Sequence, residues 1–285
     1  MSGLKAICEA QREWAAANGV GLDDGYADYV RSLELNLWRP LSAPALAAFR
    51  AGGGGELSDR RSRSGKLIPA KIRALRSSAA LAANLFDNWP EGDLVDLGHA
   101  MGLRGEPGSI AFEAQMPTGL ERCANLDVLF SMPGDQVVGV ESKFTEWLSP
   151  KDVGPGGAFR PAYFEGGRRR WEEVGLLRAQ ALAADMQEGR IAFRRCGAAQ
   201  LLKHALALAR NHGDRWNLRY IYYDWPNAEG QEHRDEVFRF ADLVGEELCF
   251  EALSYQTVFE RLRAAGKGED GRLTYLGERY FPMRS

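Results

Sequence analysis

The sequence predicts an α/β fold in which helices flank a mixed central sheet, preceded by an N-terminal helical extension. The prediction depends on two observations. The chain begins with apolar residues at helical spacing, and farther along short apolar runs bounded by turn residues alternate with helical patterns. The sequence contains no repeat with a period of about 20 to 50 residues, so it does not indicate a solenoid. The alternation likewise argues against an all-β barrel.

The first fifty residues are predicted to be helical. Leu4 to Asn18 and Tyr26 to Trp38 carry apolar residues at spacings of three and four. We therefore assign residues 1–52 to an N-terminal helical segment and residues 53–285 to the α/β domain. The alternative is that the two parts pack as one domain. The glycine run from Gly52 to Gly55 lacks the Gly-Lys-Ser/Thr ending of a phosphate loop, so it is predicted to be a flexible connector.

The rest of the chain contains the predicted sheet. Two helices, Ala70 to Phe86 and Asp93 to Met101, precede three short strands, of which the last two form a hairpin through a Met-Pro-Gly-Asp turn. These strands are Ile110 to Phe112, Leu126 to Phe130 and Val137 to Val140. After a loop rich in Gly and Pro, the predicted elements are helices Gly175 to Gln187 and Ala198 to Asn211, strand Leu218 to Tyr223, helix Val237 to Val244, strand Leu248 to Leu253 and helix Thr257 to Ala265.

The composition excludes several classes of protein. With 285 residues, 45% hydrophobic and 26% charged, the chain is neither disordered nor fibrous. Its longest uncharged stretches have ten residues, half of the roughly 20 apolar residues that a membrane-spanning helix needs. The N-terminus has no apolar run resembling a signal peptide, so a cytoplasmic location is expected. The four cysteines lie 53 or more residues apart and form no zinc-binding pattern.

The charge is nearly balanced overall but not along the chain. With 36 Lys plus Arg and 39 Asp plus Glu, the net charge of −3 argues against coating nucleic acid with the whole surface, although a local basic patch is allowed. The segment from Arg60 to Arg76 contains no acid and includes Lys66 and Lys71. A solvated surface and a nucleic-acid contact are equally compatible with this segment.

The residues most indicative of chemistry lie on the predicted hairpin. Asp127 opens one strand, while Glu141 and Lys143 end the next and project from the same face, since side chains alternate along a strand. Carboxylate oxygens, with the backbone carbonyl of Ser142, are ligands that Mg²⁺ prefers. Composition alone predicts about one acid two residues before a Lys, so the strand context carries the weight. The alternative is an ordinary solvated strand end.

These residues resemble the core hairpin of the PD-(D/E)XK nuclease superfamily, in particular its restriction-endonuclease-like members. The resemblance lies in Asn125 to Phe130 and Val138 to Phe144, and a helix with Ser77, Ser78 and Ala79 resembles the helix before that core. It implies a restriction-endonuclease-like sheet and a Mg²⁺-dependent phosphodiesterase, with Mn²⁺ as a substitute metal. The implied triad is Asp127, Glu141 and Lys143. Leu126 replaces the proline that often precedes the Asp in this superfamily.

The resemblance also points to accessory residues. Members often use a further acid before the Asp, for which Glu113 is the first candidate and Glu106 the second. Some members place a Gln and a basic residue on the helix after the core, and Gln200, Lys203 and His204 fit that place, where a solvated helix face is the alternative. Arg168, Arg169 and Arg170, beside Trp171, are candidate backbone contacts, and a surface cluster at a helix start is equally compatible.

We therefore expect a metal-dependent endonuclease that cuts DNA, and a role in restriction or genome defence is what the resemblance implies. Asp127, Glu141 and Ser142 would hold Mg²⁺, with Lys143 and Glu113 assisting catalysis. The alternative is a non-catalytic nucleic-acid-binding or scaffold protein with the same fold. An RNA nuclease is not distinguished by the sequence, because the same metal chemistry serves both polymers. A homodimer is compatible with cutting both strands of a duplex.

Overall fold

A computed structural model describes residues 2–52, 55–90, 93–266 and 271–282. Gly53 and Gly54 of the predicted connector lie outside the described residues. The helices of the described chain are α1 (Gly3–Ala17), α2 (Ala43–Ala51), α3 (Ser78–Phe86), α4 (Leu94–Ala100), α5 (Leu177–Gln187), α6 (Ala198–His212), α7 (Ala228–Val244), α8 (Tyr255–Ala264) and α9 (Arg272–Arg279). The strands are β1 (Leu22–Asp23), β2 (Tyr26–Val30), β3 (Arg60–Arg61), β4 (Leu67–Ile68), β5 (Ser109–Met116), β6 (Ala124–Ser131), β7 (Val137–Lys143), β8 (Trp216–Tyr222) and β9 (Phe250–Ser254).

The central sheet is mixed and has five strands in the order β5-β6-β7-β8-β9. The first three strands form an antiparallel meander, and β7, β8 and β9 are parallel. Parallel neighbours need a crossover, which α5 and α6 supply between β7 and β8 and α7 supplies between β8 and β9. The predicted mixed sheet flanked by helices is therefore present, with β7 at its centre.

Helices cover both faces of this sheet. One apolar core combines Val138 and Val140 of β7 with residues of α2, α3, α4, α8 and α9. The other combines Val137 with residues of α5, α6 and α7. Gly139 lies on the second face, where a Cβ would lie 3.0 Å from Leu208 Cδ1, so a larger side chain here would push α6 away from β7. Burial of β7 on both faces explains why its sequence is a continuous apolar run.

The N-terminal segment packs against the C-terminal helix. Gln11 of α1 donates from Nε2 to the carbonyl oxygen of Arg279 in α9, at 2.8 Å. The Arg279 side chain is 2% exposed and donates hydrogen bonds to Gln11, Asn36, Leu75 and Tyr275. Ile7, Phe49 and strand residues share one core. The N-terminal segment is thus built into the sheet's helical layer.

Three predicted helices differ from the structure. The helix predicted at Val237 to Val244 is the second half of α7, which begins at Ala228. Tyr26 to Trp38 is not a helix but β2 of a small hairpin, followed by a short 3-10 helix at Leu33–Asn36. Its aromatic and β-branched residues favour extended backbone, and Gly25 completes the turn into the strand. The helix predicted from Ala70 begins only at Ser78, because the Ser77 hydroxyl accepts a hydrogen bond from Ala80 N and caps the helix there.

The basic segment from Arg60 to Arg76 contains the β3–β4 hairpin and a 3-10 helix at Lys71–Arg73. The sequence pattern did not predict α9. None of the helices in the described part of the chain combines the length and the apolar character that crossing a bilayer requires.

We expect Arg279→Ala to lower the free energy of unfolding by about 3 kcal/mol or more, because it leaves several buried oxygens without a donor. Urea unfolding followed by circular dichroism measures this change. Arg31→Ala is the matched control, since Arg31 is exposed and, among the described residues, forms its ion pair with Asp24 at 3.5 Å. The control should stay within about 0.5 kcal/mol of the wild type. A loss below about 1 kcal/mol for Arg279→Ala would contradict this role.

Candidate active site

The carboxyl end of β7 presents Glu141 and Lys143 on one face of the sheet, as the alternation of the strand predicts. The Glu141 side chain is fully buried, and its Oε1 forms an ion pair with the Lys143 ammonium. Ser142 turns to the opposite face, where its hydroxyl hydrogen-bonds with the Tyr255 hydroxyl at 2.6 Å. This contact anchors the strand from behind, so the two charged side chains are held on the same side.

Helix α6 supplies partners for both charged groups. Gln200 and His204 lie four residues apart and therefore share a helix face. The Gln200 carbonyl oxygen accepts a hydrogen bond from Lys143 Nζ at 3.2 Å, and the His204 ring nitrogen Nε2 lies 2.8 Å from Glu141 Oε2. The structure thus brings together four of the residues that the sequence singled out, from positions about 60 apart in the chain.

Asp127 joins this group because the ladder between β6 and β7 ends beside it. The last pair in register is Val128 with Val140, which places Asp127 across from Glu141. The Asp127 carboxylate takes the next position in the ladder: its Oδ2 accepts a hydrogen bond from Ser142 N at 2.7 Å. A side chain therefore replaces a backbone carbonyl as the acceptor, and this holds Asp127 at the end of β7.

Glu113 lies opposite Asp127 on β5, and both strands change face at this pair. Phe112 and Val128 contribute to one apolar core, whereas Met116 and Leu126 contribute to the other, although all four positions are even-numbered. Strict alternation would place them on one face. Glu113 has a φ of 48°, in the left-handed region, and is missing from an otherwise continuous ladder. The kink is a strained feature of the kind that is concentrated at functional sites.

Glu113 and Asp127 share a small cavity of about 40 Å³ with Glu56 and Ser78. Glu113 is 8% exposed and forms a hydrogen bond with the Asn125 amide nitrogen. Glu56 forms an ion pair with Lys71 at 2.9 Å. Of the two candidate accessory acids, Glu113 lies beside Asp127, whereas Glu106 is exposed in the turn before β5.

Crowded carboxylates change the acidity of the site. Burial raises the pKa of Asp127 well above its ordinary value, and the Glu141 charge raises it further. For Glu141 burial acts in the same direction, but Lys143 and His204 outweigh it and lower the pKa. Burial raises the pKa of Glu113. Burial would lower the pKa of Lys143, but Glu141 and Asp127 raise it, so this ammonium stays charged. When Asp127, Glu141 and Glu113 are all ionised, their three negative charges lie close together beside the Lys143 ammonium.

The candidate nucleic-acid contacts lie in different surroundings. Lys203 is partly buried beside the site, Lys71 is paired with Glu56, and Lys66 lies 4.2 Å from the Tyr26 ring centroid. Arg168 is exposed, and Arg169 is exposed and paired with Glu172 at 2.7 Å.

Two of these predictions are corrected by burial. Arg170 is 9% exposed and donates from Nε to the Ala162 carbonyl oxygen, so it is a structural residue, and the neighbouring Trp171 is too buried to stack on a base. His204 is 2% exposed and contacts Glu141, so it is removed from the set of direct nucleic-acid contacts. Residues that fill the core cannot at the same time meet a polymer at the surface.

Sequence reasoning missed three contributors to the site. Glu56 lies in a loop whose pattern carried no signal, and Tyr255 contacts Ser142 from 113 residues away. Asn125, the partner of Glu113, was seen only as part of a motif. Its spacing two residues before Asp127 on one strand is the one local signal that could have identified it.

The donor set fits a hard divalent cation. Asp127 and Glu141 are neighbouring carboxylates, and the Glu141 charge adds to burial in raising the pKa of Asp127, so a cation between them would relieve this repulsion. The described residues contain no group of three or more His, Cys, Asp or Glu side chains already arranged around one metal position. Any further oxygen ligands would therefore be backbone, water or substrate atoms.

A comparison with known protein families assigns the chain to one of them. The family described as "Restriction Endonuclease associating with ARP" has a model that matches residues 54–281. Since the match covers most of the chain, the protein belongs to this restriction-endonuclease-like family. The mixed five-stranded sheet flanked by helices is compatible with the restriction-endonuclease-like fold. No curated protein and no solved structure matches the sequence.

The raised pKa of Asp127 predicts that Asp127→Asn stabilises the metal-free protein as pH rises. Below about pH 4 the carboxyl is protonated in both the folded and the unfolded chain, so the two proteins should unfold alike. Above that pH the unfolded carboxyl ionises while the folded one resists ionisation, and the wild type loses stability relative to the Asn variant.

Urea unfolding at about pH 3 and at about pH 7 in EDTA tests this difference. Asp135→Asn is the control, because the Asp135 side chain is 88% exposed and lies outside the buried carboxylate cluster. A wild type that gains stability over Asp127→Asn as pH rises would contradict the assignment.

Proposed function

We propose that this protein is a metal-dependent endonuclease of the PD-(D/E)XK type that hydrolyses phosphodiester bonds, with DNA as its substrate. The observation that carries the proposal is the convergence of Asp127, Glu141 and Lys143 at the end of one central strand. These are the triad residues that the resemblance implies, and the family supports a restriction-endonuclease-like class. A cytoplasmic location and action in restriction or genome defence belong to the same proposal.

The roles follow from the surroundings of each side chain. Asp127 and Glu141, with the Ser142 carbonyl oxygen, would hold Mg²⁺, for which Mn²⁺ would substitute. When bound, the metal would supply a water activated near neutral pH and would neutralise charge on the phosphodiester. Lys143 stays protonated, so it serves as a donor that orients the attacking water or stabilises the developing negative charge. Gln200 and His204 orient Lys143 and Glu141 through the hydrogen bonds described above.

One observation favours the alternative of a non-catalytic nucleic-acid-binding or scaffold protein. Both Glu141 oxygens are already engaged, one by Lys143 and the other by His204, so metal binding must compete with the ion pair. A protein that kept this fold only as a scaffold would leave the pair undisturbed. Cleavage and metal-dependent stability separate the two functions.

Purified protein should cleave plasmid DNA in Mg²⁺ or Mn²⁺ and should leave it intact in EDTA. Asp127→Ala, Glu141→Ala and Lys143→Ala should each lower the cleavage rate by about 100-fold or more, because each removes a metal ligand or the charge donor. Single-stranded DNA and RNA, tested in parallel, identify the polymer. Cleavage at the wild-type rate by all three variants would contradict the site assignment. Metal binding without cleavage of any substrate would support the scaffold function.

Glu113→Gln should lower the cleavage rate by about tenfold, the size of effect expected when a group supporting a metal ligand is changed. The amide keeps the shape of the side chain but removes its charge beside Asp127. Glu106→Gln is the matched control and should cleave at the wild-type rate, since Glu106 is exposed outside the strand. Equal rates for the two variants would show that Glu113 is not the accessory acid.

A further inference from the structure

A groove of about 410 Å³ opens beside Lys143. Its walls are the start of α6, the loop after β7 and the segment before α6. Its polar lining consists mainly of basic side chains: Lys143, Lys151, Arg194, Arg195 and Lys203, with Gln200. Val153, Ile191 and Phe193 contribute apolar surface. Because Lys143 and Gln200 line both the groove and the candidate active site, the two are continuous.

The positive charge in this groove is only partly balanced. Arg194 is paired with Asp152 at 2.7 Å and Arg195 with Glu232 at 2.8 Å. The carboxylate of Glu146, which also lines the groove, is occupied by the backbone N–H groups of Phe144 and Thr145. For Lys151 and Lys203, the described residues supply no carboxylate within ion-pair distance. Two ammonium groups beside the active site therefore lack an acidic partner in this part of the chain.

The surroundings of Lys203 favour the binding of an anion beside its ammonium group. Its ammonium lies 5.3 Å from the ring centroid of Phe159 and 5.7 Å from that of Tyr163, so aromatic rings support it on one side. Burial lowers the pKa of Lys203, and the neighbouring charges of Arg160 and Lys151 lower it further. Lys203, Lys151 and Arg160 repel one another, and a polyanion such as a phosphodiester chain would stabilise all three.

We propose that this groove binds the backbone of one nucleic-acid strand beside the scissile phosphate, with Lys203 and Lys151 contacting successive phosphates. The inference rests on the proposed function, since it takes Lys143 to mark the reacting bond. It deepens that function by giving the direction in which the strand leaves the site. Contacts of this kind supply affinity without reading sequence, so the groove acts on every strand that enters the site.

Fluorescence anisotropy of a labelled single-stranded oligonucleotide in EDTA tests the groove without requiring cleavage. Lys203→Met and Lys151→Met should each weaken binding by about fivefold at about 0.1 M salt, and each should make the dependence of log K on log salt shallower by about 0.7. Lys5→Met is the matched control, because Lys5 is exposed on α1 and does not line the groove; its variant should bind like the wild type. Lys203→Arg should retain most of the affinity, and circular dichroism should show all variants folded.

Affinity and salt dependence of Lys203→Met and Lys151→Met equal to those of the wild type would overturn the proposal. So would inorganic phosphate alone binding as tightly as the oligonucleotide, which would mark a small-anion site instead. The cleavage assay tests the proposed catalysis separately from the proposed groove. If the wild-type protein binds as expected but cleaves no substrate, the proposed catalysis is contradicted and the proposed groove is not. If the wild type cleaves DNA while both lysine variants bind normally, only the proposed groove is contradicted.

Discussion

The arrangement of this protein depends on one buried carboxylate. Glu141 is fully buried, and an ionised acid in such a place must be paired and hydrogen-bonded or it costs several kcal/mol. Lys143 on the same strand and His204 on α6 meet this requirement. Because His204 can reach Glu141 only when α6 lies close against β7, the absence of a side chain at Gly139 is part of the same constraint. Helix, strand and charge are therefore positioned together.

The acids around Glu141 oppose the stability of the fold. Asp127 lies opposite Glu141, and Glu113 lies opposite Asp127, so one row of carboxylates crosses three neighbouring strands. Burial of the Asp127 carboxyl, which raises its pKa, and the left-handed backbone of Glu113 both lower the stability of the folded, metal-free protein. A folded chain without these features would be more stable, so their presence indicates a functional requirement. A bound cation would convert this repulsion into attraction.

The fold changes which basic residues lie beside acids and which lie together. The basic segment from Arg60 to Arg76 is prominent in the sequence, yet Arg73 is paired with Asp23 and Lys71 with Glu56. Lys151 and Lys203 stand alone in the sequence, but the fold places them in one groove beside Lys143. Folding thus brings acids to two members of the basic run. It also brings two lysines that are distant in sequence to the same groove.

Local patterns determined most of the elements and the candidate triad. Alternation along β7 places Glu141 and Lys143 on one face, and helical spacing places Gln200 and His204 together, because both periodicities are properties of the backbone alone.

Tertiary structure decided the rest. The pattern from Ile110 to Met116 is compatible with one uninterrupted strand face, and only packing against two cores shows that it changes face at Glu113. Burial of Arg170 and His204, the place of Glu56 and the strand at Tyr26–Val30 likewise depend on residues distant in sequence. Periodicity is encoded between near neighbours, whereas burial and charge pairing are set by contacts that exist only in the folded chain.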